Sequence, residues 1–213
     1  MRCSGAVFDM DGTILDSMGF WSDAGANFLK IRGIIPPSDL LEVLTPLSLA
    51  QTVVYLKKQF HLPESEEAIA DEFNQMVEHR YLNEFPAKRD VLPFLEKLRS
   101  LGIPMCVATA TDRYLAEAAL KRLDMFQYFR FILTCTEVGH NKNEPVIFEK
   151  ACSGLQVPKE HVIIFEDSLH AIQTAKNAGF YTVAIQEDSV SADEPKIKQL
   201  ADQFVHNFAE VIL

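Results

Sequence analysis

The chain has 213 residues, 48% of them hydrophobic and 23% charged, the balance of a globular protein with room for one large domain or a core plus an insertion. With 20 Lys and Arg against 30 Asp and Glu, the formal charge is −10, which argues against a nucleic-acid surface or a surface for acidic membranes. The first apolar run starts within five residues of Met1 and no apolar run approaches ~18 residues, so neither a signal peptide nor a membrane span is expected and the protein reads as soluble and cytoplasmic.

In chain order, Ala6-Val7-Phe8 reads as a short buried strand and runs straight into Asp9-Met10-Asp11-Gly12-Thr13. From about Asp16 to Lys88 only amphipathic segments follow, near Phe20–Arg32, Ser48–Phe60 and Ser65–Phe85, bounded by Pro36-Pro37, Pro46, Pro63 and Pro86. A helical insertion of about seventy residues is far longer than a strand-to-helix connection. It predicts a separate helical domain over 16–88, on hinges near Leu15–Ser17 and Pro86–Asp90. Beyond it, strands at Met105–Ala108, Phe129–Leu133, Val162–Phe165, Thr182–Ile185 and a short Gln203–Val205 alternate with helical patterns. Those patterns are Leu92 to Leu101, Leu115 to Leu123, Ile147 to Leu155 and Leu169 to Ala178, with Gly102 and Gly179 just past helix ends. The alternation predicts an α/β fold with a Rossmann-like parallel sheet, its core made of residues 1–15 and 89–213.

Chemistry-bearing residues fall at predicted strand ends. Asp9 and Asp11, two apart, share a side if the chain stays extended, and clustered carboxylates are tolerated when a divalent cation joins them or one keeps a proton; the plain alternative is an acidic turn. Thr109-Ala110-Thr111 follows a strand and precedes a helix, which suits a phosphate seat or, equally, a helix N-cap at Thr109. Lys142 lies in a polar loop before a helix, where a lysine is more often merely solvated. Glu166-Asp167-Ser168 again puts acids at a strand end, or a cap at Asp167 or Ser168. Cys3, Cys106, Cys135 and Cys152 lack Cys-x-x-Cys spacing and read as free thiols. The six histidines (His61, His79, His140, His161, His170 and His206) show no zinc-ligand spacing.

Taken in order, the DMDGT stretch, the Thr109 strand end, Lys142 and the EDS stretch resemble the four motifs of the haloacid dehalogenase superfamily. The helical insertion resembles its small cap, and the likeness is greatest to the branch holding β-phosphoglucomutase and small-molecule phosphatases. The resemblance implies an Mg²⁺-dependent phosphatase acting on a small phosphorylated metabolite, with no nucleic-acid, membrane or protein partner inferred. It implies that Asp9 is the nucleophile and forms an aspartyl-phosphate. Mg²⁺ would be held by the Asp9 carboxylate, the Asp11 backbone carbonyl and Asp167, with Glu166 orienting that shell from behind. Thr109, the Ala110 N–H and Lys142 would bind phosphoryl oxygens, and Asp11 would protonate the leaving oxygen and then deprotonate water.

The chain departs from the pattern in the cap. Sugar-phosphate mutases of this branch carry a cap histidine where Trp21 stands here, and a cap arginine in the stretch that here reads Leu44-Thr45-Pro46-Leu47-Ser48-Leu49-Ala50. Trp21 is a candidate substrate contact or simple helix packing. A second phosphate would have to find Lys57, Lys58, Arg80 or Lys88. Only the second proline of the family's Pro-x-Pro follows Lys142, at Pro145, an expectation of a looser lysine loop. A mutase is the alternative enzyme, and a non-catalytic phospho-receiver a third reading that Asp11 and the cap argue against.

Overall fold

The computed structural model describes residues 3–44, 47, 49–190 and 192–213. They form two compact units, one comprising Met1–Ser17 with Phe85–Leu213 and the other Met18–Glu84.

The larger unit holds six parallel strands: β1 (Gly5–Phe8), β2 (Met105–Thr109), β3 (Ile132–Thr134), β4 (Val162–Glu166), β5 (Tyr181–Ile185) and β6 (Gln203–Val205). Their order is β3-β2-β1-β4-β5-β6. The chain thus builds outward from β1 on one side, returns, and builds outward on the other. The turnover point lies between β1 and β4, where the carboxyl ends of strands diverge and leave a crevice. In β1, β2 and β4 every residue is buried, as expected of a parallel sheet covered on both faces.

Those faces are filled differently. Phe8 pairs in register with Phe165, and their rings stack at 4.4 Å, ringed by Phe94, Phe129 and Phe208. One residue back, Val7 and Ile164 join a mainly aliphatic layer with Cys106, Ile147, Phe148, Ala151 and Leu155. Alternation along the strand commits Phe8 and Val7 to opposite layers, so the register of β1 on β4 is fixed by shape as well as by hydrogen bonds.

The smaller unit contains α1 (Met18–Ile31), α2 (Leu40–Leu44), α3 (Leu49–Gln59) and α4 (Glu66–Asn83). Ala24 and Phe28, Val53 and Leu56, Ile69 and Phe73 recur at helical spacing and make its core, with Phe28 stacked on Phe73 at 4.6 Å. Ser65 caps α4 by accepting the Ala68 N–H at 3.1 Å. Of the stretch 44–50, Thr45, Pro46 and Ser48 lie outside the described residues.

The remaining helices, α5 (Val91–Ser100), α6 (Arg113–Arg122), α7 (Cys135–Val138), α8 (Val146–Leu155), α9 (Leu169–Asn177) and α10 (Glu194–Leu200), belong to the larger unit. Among the described residues, three helices, α2, α7 and α10, are not foreshadowed by the sequence pattern. The strand expected at Phe129–Leu133 starts only at Ile132, because Phe126–Tyr128 forms a 3-10 turn and Phe129 packs on Phe8. The helical unit is also shorter than 16–88. Leu15 and Ala87 pair as an antiparallel bridge, Lys88 N–H reaches Ile14 O at 2.8 Å and Asp16 N–H reaches Pro86 O at 2.9 Å, so both connectors fold as part of the sheet unit.

Phe165 carries much of the contact between β4 and the aromatic layer. Phe165→Ala should therefore lower unfolding free energy by about 3–5 kcal/mol, read from the midpoint of urea denaturation at unchanged slope.

Candidate active site

Acids gather where β1 and β4 end. The Asp9 N–H continues the ladder past β1, donating to Phe165 O at 2.9 Å, which sets Asp9 beside Glu166. After it the chain turns tightly. Gly12 sits at φ +84°, a conformation that favours glycine, and the N–H groups of Ile14 and Leu15 both return to Met10 O.

Lys142 is the centre of the arrangement. Only 6% exposed, its Nζ donates to Asp9 Oδ1 and, at 2.8 Å, to Glu166 Oε2. The loop that delivers it is closed by its own Asx turn: Asn141 Oδ1 accepts the Asn143 N–H at 3.0 Å and Asn141 O accepts the Glu144 N–H at 3.3 Å. Local hydrogen bonds thus shape the loop where the first proline is missing. The other oxygen of Glu166 accepts from the N–H groups of Asp167 and Ser168, each at 3.2 Å, and from Ser168 Oγ at 2.9 Å. Glu166 is therefore fully occupied by protein donors.

Asp9, Glu166 and Asp167 each offer a carboxylate oxygen within 4.8 Å of the others, and Asp9 Oδ2 is buried without a hydrogen-bond partner among the described residues. Burial first, and then the Glu166 charge, push Asp9 up to about 7 against the pull of Lys142. Burial, Glu166 and Asp9 push Asp167 well above the usual carboxylate range. Burial would raise Glu166 too, but Lys142 and the donors around it hold it below its ordinary value. Burial would lower Lys142, yet the two carboxylates keep it firmly protonated. Three acids thus share one ammonium, and an all-oxygen donor set of this kind fits a hard divalent cation.

Asp11 is treated differently. Ser17 Oγ donates to its Oδ1 at 2.7 Å and Thr111 Oγ1 to its Oδ2, so its side chain is held by hydroxyls rather than by the ammonium. Thr109, 1% exposed at the end of β2, accepts the Thr111 N–H at 3.0 Å. Ala110 stands exposed at the turn. The structure thus joins Asp9, Glu166, Asp167 and Lys142 directly and links Asp11 to the Thr109–Thr111 turn. Trp21 belongs to the helical unit, exposed on α1 with its ring edge-on to Phe20 at 5.5 Å. The sequence does not mark the hydroxyls of Ser17 and Thr111 as partners of Asp11; their one signal is their place beside the expected hinge and the phosphate turn.

With Lys142 gone, two buried carboxylates lose their counter-charge. Lys142→Met should cost about 3–5 kcal/mol at pH 7.5 in metal-free protein. Because Asp9 is raised, its protonated form persists up to about pH 7, and a protonated Asp9 needs no ammonium. The loss should narrow at pH 5.5, leaving the part owed to Glu166; equal losses in denaturation at both pH values would show that Asp9 does not depend on Lys142.

A family model described as haloacid dehalogenase-like hydrolase matches residues 6–185. Curated relatives include the validoxylamine A 7'-phosphate phosphatase of Streptomyces hygroscopicus subsp. limoneus, 27% identical over 84% of both chains. The hexitol phosphatase A of Escherichia coli is 26% identical over 99% of this chain and 94% of its own. The fructose-1-phosphate phosphatase of the same organism is 28% identical over 87% and 97%. Among solved structures, CbbY from Rhodobacter sphaeroides in complex with phosphate superimposes with a TM-score of 0.76, at 22% identity over 98% and 96%. The β-phosphoglucomutase of Clostridium difficile gives 0.70 at 20% identity over 100% and 94%. At those identities the structures speak to the fold.

Proposed function

This chain belongs to the haloacid dehalogenase-like hydrolases, and we propose that it is an Mg²⁺-assisted phosphatase of a phosphorylated sugar or sugar alcohol, working through an aspartyl-phosphate at Asp9. The observation that carries the reading is the buried Asp9 carboxylate at the sheet's turnover point, with Lys142 on one oxygen and the other oxygen unpartnered among the described residues. The activities of its phosphatase relatives support the substrate class.

Asp9, Asp167 and the Asp11 carbonyl would hold Mg²⁺, with Glu166 fixed behind them by its own donors. Bound there, the ion supplies charge neutralisation for a carboxylate approaching a phosphate dianion. Thr109, the Ala110 N–H and Lys142 receive the phosphoryl oxygens. An Asp9 oxygen attacks phosphorus in line, the phosphorus–ester oxygen bond breaks, and Asp11 gives its proton to the leaving oxygen. Asp11 then takes a proton from water as that water attacks the aspartyl-phosphate, releasing inorganic phosphate and restoring Asp9. Removing the nucleophile tests this directly: Asp9→Asn should lower turnover by roughly 10³-fold or more. Phosphate release within about tenfold of wild type would exclude covalent catalysis at Asp9.

Water as acceptor is favoured over a second sugar hydroxyl by the state of the cations that a second phosphate would need. Lys57 donates to the carbonyl oxygens of Leu62 and Glu64, Arg80 pairs with Glu84 and Lys88 with Glu187. Next to the Thr109–Thr111 turn, Arg113 is committed to both oxygens of Glu137 and, at 2.7 Å, to Ile132 O. Offered β-glucose 1-phosphate with Mg²⁺, the enzyme should release phosphate without a bisphosphate activator. Isomerisation to glucose 6-phosphate that depends on the 1,6-bisphosphate and outpaces release would identify a mutase instead.

A further inference from the structure

The connectors between the two units are anchored at a point that the chemistry above leaves unused. Ile14–Asp16 and Pro86–Lys88 form the antiparallel ribbon already described. From that ribbon Lys88 reaches out, its Nζ donating to Glu187 Oε2 at 2.5 Å and to Gln186 O at 3.4 Å in the loop after β5, and standing 3.6 Å from Asp16. Glu187 is buried, and its second oxygen accepts the Ser189 N–H at 3.2 Å. Arg122 on α6 holds the returning connector again, through Phe85 O at 2.5 Å. On the outgoing side the ribbon leads at once into Ser17, whose hydroxyl is bonded to Asp11. An ion pair removed from water adds little stability over apolar residues of the same volume. What it does supply is direction: an ammonium and a carboxylate meet in one geometry, where two methyl groups would slide.

We propose that Lys88 and Glu187 are a positioning pair for the acid–base step, clamping the ribbon to the end of β5 and so fixing where Ser17 and the Asp11 carboxylate stand. The inference rests on the reading of Asp11 as proton donor and acceptor. Neither residue touches reacting atoms. Breaking the pair disturbs what needs Asp11 and spares what needs Asp9, because Asp9 is held separately by β1, β4 and Lys142.

Single-turnover release of phenol from phenyl phosphate and of nitrophenol from p-nitrophenyl phosphate, with Mg²⁺ present, separates the two. Phenolate leaves poorly without a proton, whereas nitrophenolate leaves without help. Two altered proteins are compared with wild type: Glu187→Gln, and Lys88→Met combined with Glu187→Leu, which fills the site without stranding a buried charge. In both, release from phenyl phosphate should slow by roughly tenfold or more, release from p-nitrophenyl phosphate should stay within about twofold, and Mg²⁺-dependent beryllofluoride binding at Asp9 should be unchanged. Lys88→Arg, which keeps the pair, should restore phenyl phosphate cleavage. Equal slowing on both esters, no slowing on either, or loss of beryllofluoride binding in the folded variants would overturn the proposal. Asp11→Asn separates the two failures. If it leaves phenyl phosphate cleavage intact, the acid–base reading falls and the pair with it; if it abolishes cleavage while Glu187→Gln matches wild type, only the pair falls.

Discussion

The site depends on an ammonium buried between two buried carboxylates. Lys142 reaches Asp9 and Glu166 at once, with Asp167 in the same cluster. Three carboxylates against one ammonium leave two negative charges when all are ionised, which one divalent cation would balance. Taking such groups out of water costs several kcal/mol per ion, so the fold tolerates them only with compensation. Burial and the neighbouring carboxylates push Asp9 and Asp167 upward, the direction in which a bound proton offsets part of that charge. The same imbalance suits the proposed chemistry, because a cluster short of positive charge draws in a cation that a phosphate dianion can then share.

Everything that holds this cluster is a consequence of strand register. Pairing Phe8 with Phe165 puts Asp9 next to Glu166, and a slip of one residue would drive Asp9 into an apolar layer and Phe8 out of one. The aromatic packing around Phe8 penalises that slip, which is how residues distant from any chemistry fix the geometry of Asp9, the proposed nucleophile. A charged group at the end of a strand can be buried only where the strand behind it cannot move.

This also explains what the sequence made legible. Ala6-Val7-Phe8 before Asp9 and Val162–Phe165 before Glu166 carry their meaning in short local patterns: an apolar run that ends in acids has few foldings other than a buried strand with a charged tip. The capping box of Thr134 and Glu137 around α7 is equally local, Thr-x-x-Glu, and was open to reading although that helix was not anticipated. Long-range pairs are another matter. Lys88 and Glu187 stand 99 residues apart, and Thr111 stands 100 from Asp11. Nothing in either neighbourhood names the other, since a lysine near a hinge and a glutamate after a strand look like ordinary solvated charges until the sheet order brings them together. Trp21 stayed ambiguous for a different reason: packing and substrate contact both ask for a large apolar side chain on a helix.

The distinction between hydrolase and mutase is narrower than the distinction between folds. Both would use the same aspartyl-phosphate, and they part only at the group that attacks it. A mutase must hold an intermediate carrying two phosphates, which requires a cation beyond those at Asp9. In this chain several cations stand beside carboxylates, Arg80 with Glu84, Arg113 with Glu137 and Lys88 with Glu187; Lys57 is held by carbonyl oxygens, and Lys58 is exposed on α3. The Arg80–Glu84 and Arg113–Glu137 pairs are exposed and weak in themselves, whereas Lys88–Glu187 is largely withdrawn from water, so the choice of acceptor does not turn on the energy of breaking them. It turns on the field they leave. A cation with an anion at its side presents little net charge to a distant phosphate, in a protein already at −10. Water needs no such field, being neutral and needing only a base, the part proposed for Asp11, which stands between the hydroxyls of Ser17 and Thr111.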